Sequence, residues 1–186
     1  MRSATRVLQA LARATVASRL GVLVWRVFHR ERSAVPVVID PRHPIRSPAF
    51  DFSRLDGDGN LTLASLRGKG VVLNFWASWC VPCKKEIPAL QEAWKQRRSA
   101  GLVVVGIDIN DAKADARSFA RRLGITYPLV RDPKGKSLDR FSVISLPETL
   151  FVDRRGSIVG TRIQGPVNSD RNRESFTRGL RLALRT

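Results

Sequence analysis

The chain has 186 residues, with 33 Lys and Arg against 16 Asp and Glu, for a formal net charge of +17. That length accommodates one domain with an extension and a core of ordinary size. The charge is spread out: residues 1–46 carry nine Arg against Glu31 and Asp40, and no run is dense enough, or interleaved with enough aromatics, to point to nucleic acid. Solubility is the plain consequence of such a balance, and attraction to anionic lipid the sharper one.

Residues 1–32 form a basic N-terminal arm in which seven Arg interrupt the apolar side chains, and the longest run free of polar groups is 20–25. A spanning helix needs about 20 apolar residues. Each Arg near the bilayer centre costs roughly 2.5–3.5 kcal/mol. The arm is therefore a poor membrane span and a poor signal peptide. A basic surface helix, a transit-like peptide and a misassigned start all remain open. Residues 33–46, with Pro36, Pro41 and Pro44, read as an extended linker, and 47–186 as the folded domain.

Within that domain, 49–52 and 61–63 predict a hairpin around Asp56-Gly57-Asp58-Gly59-Asn60. The loop superficially resembles a calcium loop, but Leu61 and Arg67 stand where Gly and Glu are required, so it reads as a turn. The run 71–75 predicts a buried strand, 84–94 a helix and 102–108 a second buried strand. Asp111 is placed to cap a helix with Ala116, Phe119, Ala120 and Leu123 on one face, closed by Gly124. A short strand at 127–130, a short helix at 136–141, a hairpin of 149–153 with 157–160, and a closing helix at 169–184 complete the chain. Strands alternating with helices predict an α/β fold, a central mixed sheet flanked by helices with an antiparallel edge.

The chemistry sits at Trp76-Ala77-Ser78-Trp79-Cys80-Val81-Pro82-Cys83. Cys80 falls where a strand ends and a helix begins. Unpaired N–H groups and the positive end of the helix dipole favour a thiolate there. Cys83 follows by one helical turn, on the same face. Two sulfurs so placed close a disulfide and reopen it, which is thiol–disulfide exchange. Cys80 is the attacking thiol and Cys83 the resolving one. A structural zinc site needs four ligands. The chain offers only these two Cys, with His29 and His43 far upstream, so no metal is expected. Trp79, Val81 and Pro82 shape the rim, while Trp76 reads as packing. Glu86, three residues after Cys83, and Glu148, beside Pro147, are candidates for proton transfer. A carboxylate near the thiols also disfavours the thiolate. The simpler alternative for Glu86 is an exposed first-turn acid that satisfies the helix dipole.

Residues 75–84 resemble a thioredoxin-fold active site, with Pro88 where the thioredoxin helix has its kinking proline. Residues 68–76 and 83–88 resemble the ResA/TlpA branch more closely, and Leu146-Pro147-Glu148-Thr149 resembles the related CcmG proteins, in which the cis-proline is followed by Glu. The resemblance runs from about 47 to 185 and leaves out 1–46. It implies a thioredoxin-like fold with an N-terminal hairpin, and a cis Pro147 that presents the Leu146 main chain to an extended peptide. It also places Asn74 where thioredoxins carry a buried Asp. The implied substrates are protein disulfides outside the cytoplasm, apocytochrome c cysteines among them, with a membrane thiol-transfer protein as reductant. No bound cofactor is needed, and a monomer is expected. The implied location is the extracytoplasmic side of the membrane. A cytoplasmic location is the alternative, because the arm departs from the family's usual anchor. Two rivals share the fold. A thiol peroxidase normally carries a Pro-x-x-x-Thr-x-x-Cys pattern, which is missing here. A non-catalytic binding module would not need the intact cysteine pair.

Overall fold

The computed structural model describes residues 45–185. The arm at 1–32 and the linker as far as residue 44 lie outside the described residues. A six-stranded sheet runs in the order β1 (Ile45–Arg46), β8 (Ser157–Gln164), β7 (Glu148–Val152), β4 (Gly70–Trp76), β5 (Leu102–Ile109), β6 (Leu129–Asp132). β4, β5 and β6 are mutually parallel, and β7, β8 and β1 add an antiparallel edge. The expected hairpin forms a separate two-stranded sheet of β2 (Asp51–Ser53) and β3 (Asn60–Thr62).

Every residue of β4 is buried, which is why its sequence is a continuous apolar run broken only by Asn74. Its side chains alternate between two cores. Val72 and Trp76 meet helices α1 (Val81–Arg97), α2 (Lys113–Arg122) and α4 (Arg173–Ala183), through Ile87, Leu90, Phe119, Phe176 and Leu180. Val71, Leu73 and Phe75 meet the hairpin and α3 (Lys136–Phe141), through Phe50, Leu61 and Phe141. Both β4–α1–β5 and β5–α2–β6 are parallel crossovers. The shared right-handed sense puts both helices on one face. Trp76 is fully buried, stacked on Phe119 with ring centroids 5.0 Å apart. Gly106 makes room for it, since a Cβ there would lie 2.9 Å from the Trp76 indole nitrogen.

Several features differ from the sequence reading. The sheet begins at Ile45, two residues before the expected domain start, because Ile45 and Arg46 pair with Ile158 and Ser157. The strand expected at 127–130 lies at Leu129–Asp132, with the Pro128 carbonyl accepting from Gly106 N–H at 2.9 Å. The closing helix starts at Arg173, because Asn172 Nδ2 donates to the carbonyls of Gln164 and Pro166 and holds the preceding segment as a turn. Asp111 caps nothing: Ala112 is the N-cap residue of α2, without a side-chain bond. The Asp111 carboxylate goes to the cysteine loop instead.

Candidate active site

β4 ends at Trp76, and the chain turns through Ala77-Ser78-Trp79 into α1. Cys80 is the N-cap residue of α1, and its Sγ accepts from the Cys83 N–H at 3.3 Å. That bond takes up one of the helix's orphan donors and favours negative charge on Cys80. Val81 and Pro82 open the helix, where proline's missing N–H costs nothing. Cys80 and Cys83 form a disulfide, with 1.98 Å between sulfurs. Cys83 is fully buried and Cys80 is 5% exposed, less open than its place at the helix end implies. Pro88 lies inside α1 and removes one helical N–H.

Two groups of contacts hold the cysteine loop. On one side is the turn after β5. Asn110 there has φ 49°, in the left-handed region. Its carbonyl accepts from Trp79 Nε1 at 3.3 Å, and the Asp111 carboxylate accepts from Ser78 N–H at 2.6 Å and Ser78 Oγ at 2.9 Å. Arg131 steadies this turn, donating to the Asp111 carbonyl at 2.9 Å. Arg131 Nε also stands 3.5 Å from the buried Asp108 carboxylate. Burial first, then the Asp111 charge, raise the Asp108 pKa to about 7 against the pull of Arg131.

On the other side is Glu86, which the structure places one turn beyond Cys83 and wholly inside the core. Its Oε1 accepts from Asn74 Nδ2 at 2.6 Å, and its Oε2 accepts from Val167 N–H at 3.0 Å. Asn74 Nδ2 also donates to Thr149 Oγ1 at 3.1 Å. Burial lifts the Glu86 pKa to about 7, against the two hydrogen bonds that lower it. The surface-acid alternative does not describe this side chain. Tyr127 belongs to the same buried group. Its hydroxyl has no hydrogen-bond partner among the described residues, and burial followed by the Glu86 charge raises its pKa.

The loop before β7 closes the site. Leu146–Pro147 is a cis peptide, and Glu148 pairs with Phe75 across the β4–β7 ladder. Residues 146–148 therefore lie at the same end of the sheet as the cysteines. Glu148 differs from its expected part. One oxygen is paired with Arg162 and the other accepts from Ile144 N–H at 3.2 Å. Arg162 also donates to the carbonyls of Phe141 and Ser142 at 2.8 and 2.9 Å. The cation matches the Glu148 charge. In the cysteine loop Trp79 is 60% and Val81 72% exposed, and Ile144, in the loop before the cis-proline, is 77% exposed. Pro82 is exposed and Leu146 half-buried. The sequence reading missed Ile144, Tyr127, Asp108 and the Asp111–Ser78 pair, none of which carries a local signal. Arg162 was equally silent.

A parallel β–α–β unit with a redox disulfide at its strand-to-helix junction, and a cis-proline loop on the next strand, defines a thioredoxin-fold oxidoreductase. Residues 45–161 match the AhpC/TSA family, and the chain belongs to that family. Its activity is thiol–disulfide oxidoreduction. It is 33% identical over 139 residues to a thiol-disulfide oxidoreductase ResA of Geobacillus thermodenitrificans, covering 75% of this chain and 76% of that one. It is similar in structure to a Chlorobium tepidum protein described as a putative thiol:disulfide interchange protein DsbE, with TM-score 0.69 and 25% identity over 76% of this chain and 97% of that one. A secreted Mycobacterium tuberculosis disulfide oxidoreductase aligns with TM-score 0.61 and 26% identity, covering 72% of this chain and 96% of the other.

Proposed function

We propose that this protein is a reductase of protein disulfides on the extracytoplasmic side of a membrane, with apocytochrome c cysteines among its substrates. The observation that carries the reductase reading is Glu86, an acid buried beside the resolving cysteine with a pKa near neutrality. The dipeptide between the cysteines, Val81-Pro82, is uncharged, so no cation there holds a thiolate. Strong oxidants of this chemistry depend on a stabilised reduced form. In the dithiol state, the Cys80 thiolate attacks one sulfur of a substrate disulfide, and the other substrate sulfur leaves as a thiolate that takes up a proton. Cys83 then attacks Cys80 Sγ. Its proton passes to Glu86, and the second substrate sulfur is released. Two electrons have moved to the substrate and the Cys80–Cys83 disulfide has formed.

The rim supplies recognition. Trp79, Val81, Pro82 and Ile144 offer apolar surface to a peptide segment. The N–H and C=O of Leu146 take no hydrogen bond among the described residues, which leaves them open to an extended substrate chain. A membrane thiol-transfer protein reopens the disulfide. The chemistry is carried by the two sulfurs without a bound cofactor, and the working form is a monomer. The resemblance to ResA-type relatives and to a secreted oxidoreductase supports the location. A redox titration against glutathione or dithiothreitol tests the direction. The expected potential lies near the thioredoxin value of about −270 mV, and one near −120 mV, the strong-oxidant value, would sink the reductase reading.

A further inference from the structure

β4 is seven residues long, so its first residue lies about 20 Å from the cysteine loop. At that far end a pocket of about 220 Å³ opens between residues 46–49, residues 63–67 and the 152–156 turn. Arg46, Arg67, Arg154 and Arg155 line it against Asp153 alone. The Asp153 Oδ1 is already taken by the N–H groups of Arg155 and Ser157 at 3.0 and 2.8 Å. Arg154 is fixed by the carbonyls of Leu184 and Ala100 at 3.1 and 2.8 Å. The side chains of Arg67 and Arg155 are exposed and have no hydrogen-bond or ion-pair partner among the described residues. Lys69 and Arg98 are exposed on the neighbouring segments and widen the positive field. Unbalanced like charges repel one another, and a counter-anion relieves that repulsion.

We propose that this pole is a docking face for the phosphate headgroups of an anionic membrane. The cations come from four separate stretches of chain and spread beyond one pocket. A single soluble phosphate cannot span them, whereas a charged lipid surface can. Arg46, among the first of the described residues, adds its charge to this rim. Docking here turns the exposed apolar rim of Trp79, Val81 and Ile144 away from the bilayer and toward substrate. The proposal is independent of the direction of thiol exchange.

The test is co-sedimentation of the full chain with vesicles of mixed phosphatidylglycerol and phosphatidylcholine, against pure phosphatidylcholine, at about 0.1 M salt. Each basic residue at such a surface contributes about a fivefold factor. Arg67→Gln with Arg155→Gln should therefore lower partitioning by about 25-fold. Lys113→Gln with Lys134→Gln removes the same charge from the cysteine end and should change it less than about threefold. Arg67→Lys with Arg155→Lys should restore binding, and all three variants should reduce a soluble disulfide at the wild-type rate. Equal losses in the two Gln pairs would reduce the effect to net charge. Undiminished binding in the Arg67/Arg155 pair would assign it to the N-terminal arm, and no preference for the anionic vesicles would remove the docking face. Each of those results overturns the proposal.

Discussion

Cys80 and Cys83 are nearly equal in burial, so helix position must separate their chemistry. The Cys80 Sγ accepts the Cys83 N–H and sits at the positive end of the dipole, both of which favour a thiolate there once the disulfide is reduced. After reduction, Cys80 should be alkylated much faster than Cys83. Cys83→Ala should trap a mixed disulfide with substrate through Cys80, and trapping through Cys83 in the reciprocal variant would reverse the assignment. Glu86 has the opposite influence, and its charge develops around its pKa of about 7. The groups paired or interacting with it are the Asn74 amide from β4, the Val167 N–H and the Tyr127 hydroxyl, none of them cationic. Glu86→Gln keeps the shape and removes the charge. It should abolish an inflection near neutral pH in the rate profile and make the protein more oxidising. A shift of about 30 mV corresponds to about 1.4 kcal/mol for this two-electron couple, well within reach of a titration. An unchanged pH profile and potential would return Glu86 to a packing role.

At the scale of elements, the turn after β5 and the packing of α4 carry separate predictions. Asp111 holds Ser78 through two bonds, one to the main chain and one to the hydroxyl. Hydrogen bonds to charged groups contribute about 1.5–3 kcal/mol each, discounted here because the pair is only part-buried. Asp111→Ala should therefore destabilise the protein by about 2 kcal/mol and loosen the cysteine loop, measured as a lower midpoint in urea and faster alkylation of reduced Cys80. α4 packs closely on β7 at Gly179, where a Cβ would lie 2.3 Å from the Phe151 ring. Overpacking of that kind costs about 1–3 kcal/mol, and Gly179→Ala should lower the thermal midpoint by several degrees without changing the potential. β1 is the opposite case. Its two residues are both exposed, so deleting 1–46 should cost at most about 1 kcal/mol and leave activity on a soluble disulfide intact.

Over the whole molecule, two buried acids set the dependence of stability on pH. Glu86 and Asp108 both have pKa values raised from the ordinary carboxylate range to about 7, chiefly by burial. A raised carboxyl keeps its proton in the folded state after the unfolded chain has lost it. Each acid therefore contributes stability that is fully present below the unfolded value and is lost as pH rises through the folded one. Between about pH 4 and 7 both contributions fall with increasing pH. The thermal midpoint should be higher at pH 5 than at pH 8, and Glu86→Gln should flatten that slope without removing the Asp108 share. A midpoint that rises from pH 5 to pH 8 would show that both acids are ionised in the folded state.

The sequence by itself determined the elements and the reaction. A continuous apolar run reads as a strand buried on both faces, and a CxxC at its end places two sulfurs one helical turn apart. Both are local patterns, set by backbone periods of two and 3.6 residues. The mixed sheet, the hairpin and the thioredoxin-like fold followed from those patterns and the motif resemblance. Tertiary structure alone decided what surrounds the sulfurs. Glu86 looks like a first-turn surface acid along the chain, and becomes a buried acid because Asn74 and Val167 close over it from 12 and 81 residues away. Asp111 reads as a helix cap, yet its carboxylate serves Ser78, 33 residues upstream. Glu148 reads as a free acid until Arg162 meets it across the β7–β8 hairpin. The desolvation and pairing that set an acid's charge are properties of its assembled surroundings, and those surroundings come from distant parts of the chain.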